Sequence, residues 1–531
     1  MTRRTLLRAA TAGVAAALRP AFAADADIEL VPAASSRVIS PHIYGHFIEH
    51  LGTVIYDGIW VGRDSKIAHV DGIRRQFVDD MKRIGAPNFR WPGGCFADGY
   101  HWRDGIGRNP RPRTYNFWQD RLPPGLDHTE TNQFGIHEFM RLCRLTGAEP
   151  YLAANVGSGT PQEFHDWVLY CNAPTGTVSL AAERAANGDA QPFGVKWWGV
   201  GNESWGCGGD MKPQEYATQY RKFVTQFPAY SPKPYLVAVG PRGHSRDLDL
   251  GWTTGFFEAM QGGHRAVVDG LSLHYYTDFR NSKEKVATFD ARGWYDVIRE
   301  GLRTEAVIER HWAAMDKFDP DHRTKLIVDE WGVWYPPGEE TAPMHLLSQP
   351  LTLRDALHTA VSFDVFNRHA DKVVMANVAQ TINCLHSLFL ASGDRYTRTP
   401  VFHVFEMYQN HMGAQSVELR ARAEQLNVPG AAGTAKMPAI SGSASLKSGR
   451  VTVTLTNPSL DAPLTARLHL PGATAAEARG TVLTHAEANA RNTFDHPNEV
   501  TPAPLAATMR GSAVEVVLPK HSVAAIEIRL T

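Results

Sequence analysis

Residues 197–205 read Trp-Trp-Gly-Val-Gly-Asn-Glu-Ser-Trp, and residues 326–332 read Leu-Ile-Val-Asp-Glu-Trp-Gly. Each stretch is a short apolar run, typical of a buried strand, that ends in a carboxylate and a loop rich in Gly and Trp. The two carboxylates are Glu203 and Glu330. In a barrel of parallel strands the active site lies at the carboxyl ends of the strands. Two glutamates in this position therefore favour a catalytic pair over two separate structural ion pairs.

The region around these stretches alternates short β-type runs with helical runs, from residue 44 to residue 380. This alternation is typical of repeated βα units around a parallel sheet. We count eight units, which predicts an α/β fold of the (β/α)8 TIM-barrel class. The predicted strands are Tyr44–Glu49, Asn88–Trp91, Pro150–Val156, Val195–Glu203, Tyr235–Gly240, Leu271–Tyr276, Leu326–Glu330 and Val373–Gln380. The predicted amphipathic helices include Ile73–Ile84, Phe134–Leu145, Pro161–Tyr170, Pro213–Phe227, Trp294–Phe318 and Leu353–Ala370.

Beyond about Gln415 the helical periodicity gives way to alternating stretches such as Ala444–Asn457 and Ala513–Leu530. This pattern predicts a C-terminal antiparallel β-sandwich, and the early strand Ile28–Val31 is placed to pair with it. The predicted division is a signal peptide at 1–23, an N-terminal segment at 24–43, the catalytic barrel at 44–413 and the β-sandwich at 414–531.

The N-terminus reads Thr-Arg-Arg-Thr-Leu-Leu-Arg at residues 2–8, then a short apolar run, then Ala-Phe-Ala at residues 21–23. This order predicts a twin-arginine export signal with a cleavage site, and hence a periplasmic or secreted protein. The apolar run is shorter than the roughly 20 residues that span a bilayer, so we expect no membrane anchor. Removing the signal takes away four arginines and changes the formal net charge from −1 to −5. A mildly acidic chain is a poor candidate for binding nucleic acid or anionic lipid.

The cysteines and histidines give no metal-binding pattern. The five cysteines, Cys95, Cys143, Cys171, Cys207 and Cys384, include no Cys-x-x-Cys pair. They indicate neither a disulfide framework nor a zinc ribbon, although export would permit one disulfide. His42, His46 and His50 recur every four residues, but Pro41 and Gly45 argue against the helix that would align them. We expect no metal ion and no organic cofactor.

Two carboxyl groups at strand ends suit glycoside hydrolysis, in which one is protonated to donate to the leaving oxygen and one is ionised. The Trp-rich stretch around Glu203 is expected to desolvate this carboxyl and raise its pKa, which suits an acid. Asn202 beside it can hydrogen-bond a sugar hydroxyl. We therefore expect Glu203 as acid/base and Glu330 as nucleophile. Retention of configuration requires the two carboxyl groups to lie about 5–5.5 Å apart.

These residues also carry a family resemblance. The Asn-Glu pair on strand four and the glutamate on strand seven resemble the barrel glycosidases that place their acid/base and nucleophile there. The chain most resembles glycoside hydrolase family 51, the α-L-arabinofuranosidases, and the resemblance covers nearly all of the chain after the signal. Four further segments carry it: residues 44–52, 89–105, 272–276 and 379–383.

The resemblance implies roles for several other side chains. In the glycone pocket, the arabinofuranose would be bound by Glu49, Asn202, Tyr276 and Gln380. His274 would hydrogen-bond near one of the two catalytic carboxylates, and Trp118 and Trp334 would line the leaving-group side. Many members have Asn where this chain has Cys95, so Cys95 is interpreted as a residue that tunes the pocket.

The expected activity is exo-acting, retaining hydrolysis of terminal α-L-arabinofuranosyl groups from oligo- and polysaccharides. One alternative is an endo-β-1,4-glucanase or a β-xylosidase, because related barrels keep both glutamates and change the subsites. A second is a carbohydrate-binding protein without catalysis. Since family members are often hexamers, the resemblance also implies a homo-oligomer.

Overall fold

The computed structural model describes residues 26–32, 37–107, 109–122, 127–228, 230–243, 248–261, 267–280, 285–339, 341 and 346–531. The predicted signal peptide at 1–23 lies outside these residues. No helix in the described ranges is long and apolar enough to cross a membrane.

Within the described ranges, eight parallel strands close into a barrel, which confirms the predicted fold class. Each strand pairs with the next along the chain, and Asn377 on the last strand pairs with Gly45 on the first to close the ring. The barrel strands are β1 Gly45–Phe47, β2 Asn88–Trp91, β3 Glu149–Ala154, β4 Trp197–Val200, β5 Tyr235–Ala238, β6 Gly270–Asp278, β7 Lys325–Trp334 and β8 Val373–Val378.

The helices surround the barrel. They are α1 Arg75–Arg83, α2 Ile136–Thr146, α3 Pro161–Asn172, α4 Ser179–Ala186, α5 Pro213–Val224, α6 Leu250–Met260, α7 Ala291–Met315, α8 Leu353–Arg368 and α9 Pro400–Tyr408. Short 3-10 helices span Pro41–Tyr44, Cys95–Gly99, Trp102–Gly105, Gln119–Arg121 and Gln409–His411. Local sequence sets several boundaries. In α3, for example, the Thr160 hydroxyl accepts the Glu163 backbone N–H and Pro161 occupies the first turn.

Two differences from the predicted helices have local causes. The prediction began the first helix at Ile73, but Ile73–Arg74 pairs with His69–Val70 in a hairpin, so α1 begins at Arg75. Helix α6 was not predicted, because two glycines weaken its helical signal. One of them, Gly255, lies so close to α5 that a Cβ there would be 2.9 Å from Pro213. The close packing of α5 against α6 therefore requires a glycine at position 255. The same glycine weakens the helical pattern of the sequence.

The interior of the barrel changes character along its axis. Near the amino ends of the strands it is filled by an apolar cluster of Tyr151, Trp197, Val237, Ile327 and Met375. Above this cluster lies a buried polar layer, in which the Tyr151 hydroxyl donates to Asp329 at 2.9 Å. Apolar side chains therefore fill the barrel near the amino ends of its strands, and its charged side chains lie at the carboxyl ends.

The C-terminal domain is a ten-stranded sheet that encloses a second apolar core. In spatial order its strands are Ala503–Leu505, Ala475–Leu483, Ser522–Leu530, Arg450–Asn457, Ser441–Lys447, Gln415–Arg422, Ala26–Pro32, Leu464–His469, Ala513–Leu518 and Ala507–Arg510. The pairings are antiparallel except between Ala26–Pro32 and Leu464–His469. Separate two-stranded hairpins are Thr114–Tyr115 with Thr129–Glu130, Phe389–Ser392 with Arg395–Arg398, and Gln425–Gly430 with Gly433–Pro438.

The two domains meet at α8 through a buried polar contact. The Asp364 carboxylate on α8 accepts hydrogen bonds from Ser443 and Thr454 of the sheet, each at 3.0 Å, and from Tyr408 of α9. Burial raises the pKa of Asp364 to about 6. Because its lone pairs are satisfied across the interface, this carboxylate fixes how the sheet sits against the barrel.

Candidate active site

Glu203 and Glu330 face each other across the carboxyl end of the barrel. Glu330 lies within β7, and Glu203 follows β4 with a backbone φ of 38°, a left-handed conformation that residues other than glycine rarely adopt. One carboxylate oxygen of each glutamate and Nδ1 of His274 all lie within 4.8 Å of one another. A separation of at most 4.8 Å between these oxygens lies below the roughly 6.5–9.5 Å of inverting glycosidases and fits the closer carboxyl groups of retaining ones.

The surroundings of Glu203 differ from those expected from the Trp-rich sequence. Trp197 and Trp198 point away from it, because their indole N–H groups donate to Glu149 and to the Val195 carbonyl. Of the three tryptophans in this stretch, Trp205 lines the cavity. The carboxyl group is instead contacted by the imidazole of His274.

His274 lies between the two glutamates. Its Nδ1 is 3.0 Å from Oε1 of Glu203 and 3.6 Å from Oε2 of Glu330. Burial opposes a charge on this imidazole, but the neighbouring carboxylates of Glu330 and Glu203 outweigh it and raise the pKa of His274 above its usual value. The ring is therefore suited to carry a proton beside Glu203.

Glu330 is fixed by two donors. Nη1 of Arg90 donates to one of its carboxylate oxygens and the Tyr276 hydroxyl donates to the other, both at 2.8 Å. Arg90 also donates from Nη2 to the Asn202 side-chain oxygen at 2.8 Å, and its guanidinium lies 4.5 Å from the centre of the Phe47 ring. These charge-assisted contacts stabilise a negative charge on Glu330 and hold its orientation.

Glu49 forms a second buried carboxylate centre in the same cavity. Its Oε1 accepts from the backbone N–H of Gly94 and Phe96 and from the Trp118 indole, and its Oε2 accepts from Gln380. Burial and the nearby charge of Glu330 nevertheless raise the pKa of Glu49 to about 7. Gly93, the residue before Gly94, must be a glycine, because a Cβ at this position would lie 2.7 Å from the Glu49 side chain.

A cavity of about 400 Å³ joins these groups. This volume is typical of a small-molecule site. The predicted site residues that line it are Glu49, Cys95, Trp118, Asn202, Glu203, Tyr276, Glu330, Trp334 and Gln380. His274 is not among the lining residues and contacts the site through the two glutamates. Further lining residues include Phe117, Arg121, Trp205, Cys207, Arg242 and Arg280.

The two predicted leaving-group tryptophans are in different surroundings. Trp118 is buried and bonded to Glu49, so it contacts the same carboxylate as Gln380. Trp334 is half-buried, with its ring edge-on to Tyr276 and the Arg280 guanidinium 4.3 Å from its centroid.

Comparison with known proteins identifies the family. Family models described as "Alpha-L-arabinofuranosidase 1 domain" and "Alpha-L-arabinofuranosidase C-terminal domain" match residues 80–293 and 329–522. The chain is 37% identical to an intracellular exo-α-L-arabinofuranosidase of Bacteroides ovatus, over 98% of this chain and 99% of that protein. The chain belongs to glycoside hydrolase family 51. It is also 28% identical to an exo-α-(1→6)-L-arabinofuranosidase of Bifidobacterium longum, over 95% and 96% of the two chains.

Solved structures of family 51 agree with this assignment. The crystal structure of the arabinofuranosidase from Xanthomonas axonopodis pv. citri superimposes with a TM-score of 0.87 at 37% identity. The match covers 95% of this chain and 100% of that one.

Two features of this family 51 site escaped sequence reasoning. Arg90 was not predicted as a site residue, although an arginine within the buried strand Asn88–Trp91 was a signal that could have found it. The structure also joins Cys95 to Cys207 by a disulfide across 112 residues. The sequence left one disulfide open but did not identify the pair, because neither cysteine belongs to a spacing motif.

The three histidines at four-residue spacing do not come together as metal ligands. His50 contacts Glu130 at 2.9 Å and accepts from the Trp91 indole, while His42 contacts Asn88. His46 is buried and stacks on Phe405.

Proposed function

We propose that this family 51 chain is a retaining, exo-acting α-L-arabinofuranosidase that hydrolyses terminal non-reducing α-L-arabinofuranosyl groups. The observation that carries the proposal is the short gap between the carboxylates of Glu203 and Glu330, with oxygens within 4.8 Å. This gap leaves room for a sugar carbon between them but not for a water on the far side of the ring. The names of the relatives support the arabinofuranosyl substrate.

The reaction proceeds in two displacements. Glu330 attacks the anomeric carbon while Glu203 gives its proton to the departing glycosidic oxygen. Glu203 then takes a proton from the water that releases the sugar from Glu330. Arg90 and Tyr276 hold the nucleophile in place for the attack, and His274 contacts Glu203, whose charge changes in each step.

Side chains around Glu49 hold the arabinofuranose. Oε1 of Gln380 is buried and has no hydrogen-bond partner within the described part of the chain. A buried acceptor without a partner is costly unless a ligand supplies the donor. In this proposal a sugar hydroxyl donates to Gln380, while Glu49, Asn202 and Tyr276 contact neighbouring hydroxyls. Cys95, Trp118 and Trp334 line the remaining walls.

Hydrolysis of an aryl α-L-arabinofuranoside tests the activity. We expect turnover by the wild-type chain and release of single arabinose units from arabinan or arabinoxylan. Short products from cellulose, or release of xylose from xylan chains, without arabinose release, would instead support the endo-β-1,4-glucanase or β-xylosidase alternative. Absence of turnover on all of these would leave only carbohydrate binding.

We further propose that the chain is exported through its twin-arginine signal, with cleavage after Ala23. The support is the sequence at residues 2–23. The Bacteroides ovatus relative is named as an intracellular protein. N-terminal sequencing of the protein from its native host decides the matter. Retention of Met1 in the mature chain would contradict export.

A homo-oligomer is the proposed assembly, on the basis of the family resemblance. Light scattering coupled to size exclusion measures the mass directly. A mass near that of one chain, which is 58.6 kDa before removal of the signal, would contradict it.

A further inference from the structure

The disulfide between Cys95 and Cys207 lies at the wall of the catalytic cavity. Cys95 stands between Gly94 and Phe96, the two residues whose backbone N–H groups hold Glu49. Cys207 follows Glu203 by four residues, and its sulfur is 3.7 Å from Oε2 of that glutamate. The bridge therefore joins the loop that holds Glu49 to the loop that carries Glu203.

Both cysteines of the bridge border cavities. The two cysteines line the catalytic cavity and also a neighbouring cavity of about 420 Å³. Cys207 is exposed and Cys95 half-buried. By contrast, the free cysteines of the described ranges, Cys143, Cys171 and Cys384, are buried. A soluble reductant or metal ion therefore meets the bridge before it meets any of these thiols.

We propose that reduction of this bridge creates a metal site, formed by Cys95, Cys207 and Glu203, that binds zinc and shuts off catalysis. Ligand atoms of these three residues lie within 4.8 Å of one another. Zinc binds thiolate sulfur at about 2.3 Å and carboxylate oxygen at about 2.0–2.2 Å, so its ligands lie about 3.5–3.8 Å apart. The 3.7 Å between Cys207 and Glu203 already fits this spacing.

The remaining adjustment is small. The α-carbons of the two cysteines are 5.6 Å apart, so side-chain rotation can separate the reduced sulfurs to the spacing of two zinc ligands. Two thiolates and a carboxylate carry three negative charges, which suit a divalent cation of borderline softness. A water molecule or substrate oxygen completes a tetrahedral site, since only three protein ligands converge.

The chemistry balances with a phosphine as reductant. The phosphine takes oxygen from water and becomes a phosphine oxide, the sulfur–sulfur bond breaks, and the two protons of that water end on the two sulfurs. Zinc then displaces both thiol protons into solvent as it binds. In the oxidised protein the two sulfurs are bonded to each other, so this site does not exist.

The inhibition rests on the acid/base role proposed for Glu203. A carboxylate bound to zinc neither gives a proton to the leaving oxygen nor takes one from water. A second group, Glu203 with His274 and Glu330, also has ligand atoms within 4.8 Å of one another. That group contains no sulfur and exists in both redox states, so dependence on reduction separates the two sites.

The test compares the oxidised full chain with the same chain reduced by a phosphine and desalted without oxygen. Isothermal titration with zinc chloride measures binding, and an aryl α-L-arabinofuranoside measures activity. We expect one zinc per reduced chain, a loss of activity of at least tenfold at saturation, and recovery with EDTA. The oxidised chain should bind none at this site and keep its activity.

Cobalt(II) supplies a readout that does not depend on activity. In the reduced chain it should give the thiolate-to-cobalt charge-transfer band of a sulfur-ligated site, and the double variant C95S/C207S should lack both this band and the zinc response. The matched control is Cys171→Ala, which removes a buried thiol in α3 and should keep both. If the wild-type chain shows the band but hydrolyses no arabinofuranoside, the proposed function fails and the metal site stands.

Two results would overturn the proposal. One is a reduced, folded chain, checked by circular dichroism, that shows neither zinc binding nor the cobalt band. The other is equal zinc inhibition of the oxidised chain, the reduced chain and the double variant, which would assign the inhibition to Glu203, His274 and Glu330.

Discussion

The two catalytic carboxylates occupy the same cavity but are held in different ways. Glu330 is 7% exposed and bonded to a buried arginine and a tyrosine. Glu203 is 19% exposed, follows its strand in a left-handed backbone conformation, and contacts His274 and the disulfide loop. A nucleophilic carboxylate is stabilised in its charged form by hydrogen-bond donors that stay in place, whereas an acid/base residue must exchange protons with water. The difference in surroundings therefore supports the different roles.

Removal of the nucleophile should have the largest effect. Glu330→Gln keeps the size of the side chain but cannot form the glycosyl ester, so kcat should fall at least about 10⁴-fold. The measurement is steady-state hydrolysis of an aryl α-L-arabinofuranoside. Activity within tenfold of wild type would show that the fixed carboxylate is not the nucleophile.

Removal of the acid/base should depend on the substrate. Glu203→Ala should lower kcat/KM by about 10²–10⁴-fold on a natural oligosaccharide, the range of general acid–base catalysis. The loss should be smaller with a dinitrophenyl leaving group, which departs without protonation. Added azide should restore turnover through the space left by the side chain, and the product should be an arabinosyl azide. The same azide rescue in Glu330→Ala, with no rescue in Glu203→Ala, would reverse the two roles.

A third prediction concerns Asp98, a buried carboxyl group at the wall of the cavity beside the catalytic one. Its Oδ1 accepts from the backbone N–H of Val156 and Gly157, but burial raises its pKa to about 7. The unfolded value is about 3.9, so the native state binds more protons than the unfolded state between these values. Protonated Asp98 therefore makes its whole contribution to the free energy of unfolding below about pH 4, and this contribution is lost as the pH rises through 7.

Asp98→Asn keeps the acceptor oxygen and cannot ionise. Between pH 4 and pH 7 the free energy of unfolding of the wild type should therefore fall relative to the variant by about 4 kcal/mol, at about 1.4 kcal/mol per pKa unit. Urea unfolding of both proteins across this range measures the difference. A difference that does not change with pH would show that burial leaves Asp98 unshifted.

The smallest predicted effect is on the Glu330 side. Tyr276→Phe removes one hydrogen bond to the nucleophile and leaves the Arg90 contact in place, so kcat should fall about tenfold, equivalent to about 1.4 kcal/mol. Tyr275→Phe is the matched control, because its hydroxyl bonds to Glu300 outside the cavity. Equal losses in the two variants would assign the effect to packing.

The sequence predicted the barrel and the positions of its two glutamates because these depend on local patterns. Apolar runs that end in a carboxylate mark strand ends, and strand ends of one barrel meet at one face. Helix α6 was not predicted, because its glycines lower the helix propensity of the segment. Packing against α5 requires Gly255, and local sequence does not show that contact.

The surroundings of each carboxylate depend on contacts between distant residues, and there the predictions were less complete. Trp197 and Trp198 were expected to desolvate Glu203, but strand geometry turns them away. Arg90 lies on β2 and Cys95 follows that strand, so both reach the catalytic glutamates from a distant part of the chain, and no spacing motif pairs Cys95 with Cys207. Local sequence therefore identified the reacting groups, while their electrostatic tuning required the three-dimensional structure.

The stereochemistry of transfer tests the central claim most directly. Hydrolysis of an aryl α-L-arabinofuranoside in buffer that contains methanol, followed by proton NMR, identifies the anomer of the methyl glycoside. Attack by Glu330 at a carboxyl gap within 4.8 Å predicts methyl α-L-arabinofuranoside, the product of two inversions. The β-anomer as first product would mean a single displacement and would contradict the account.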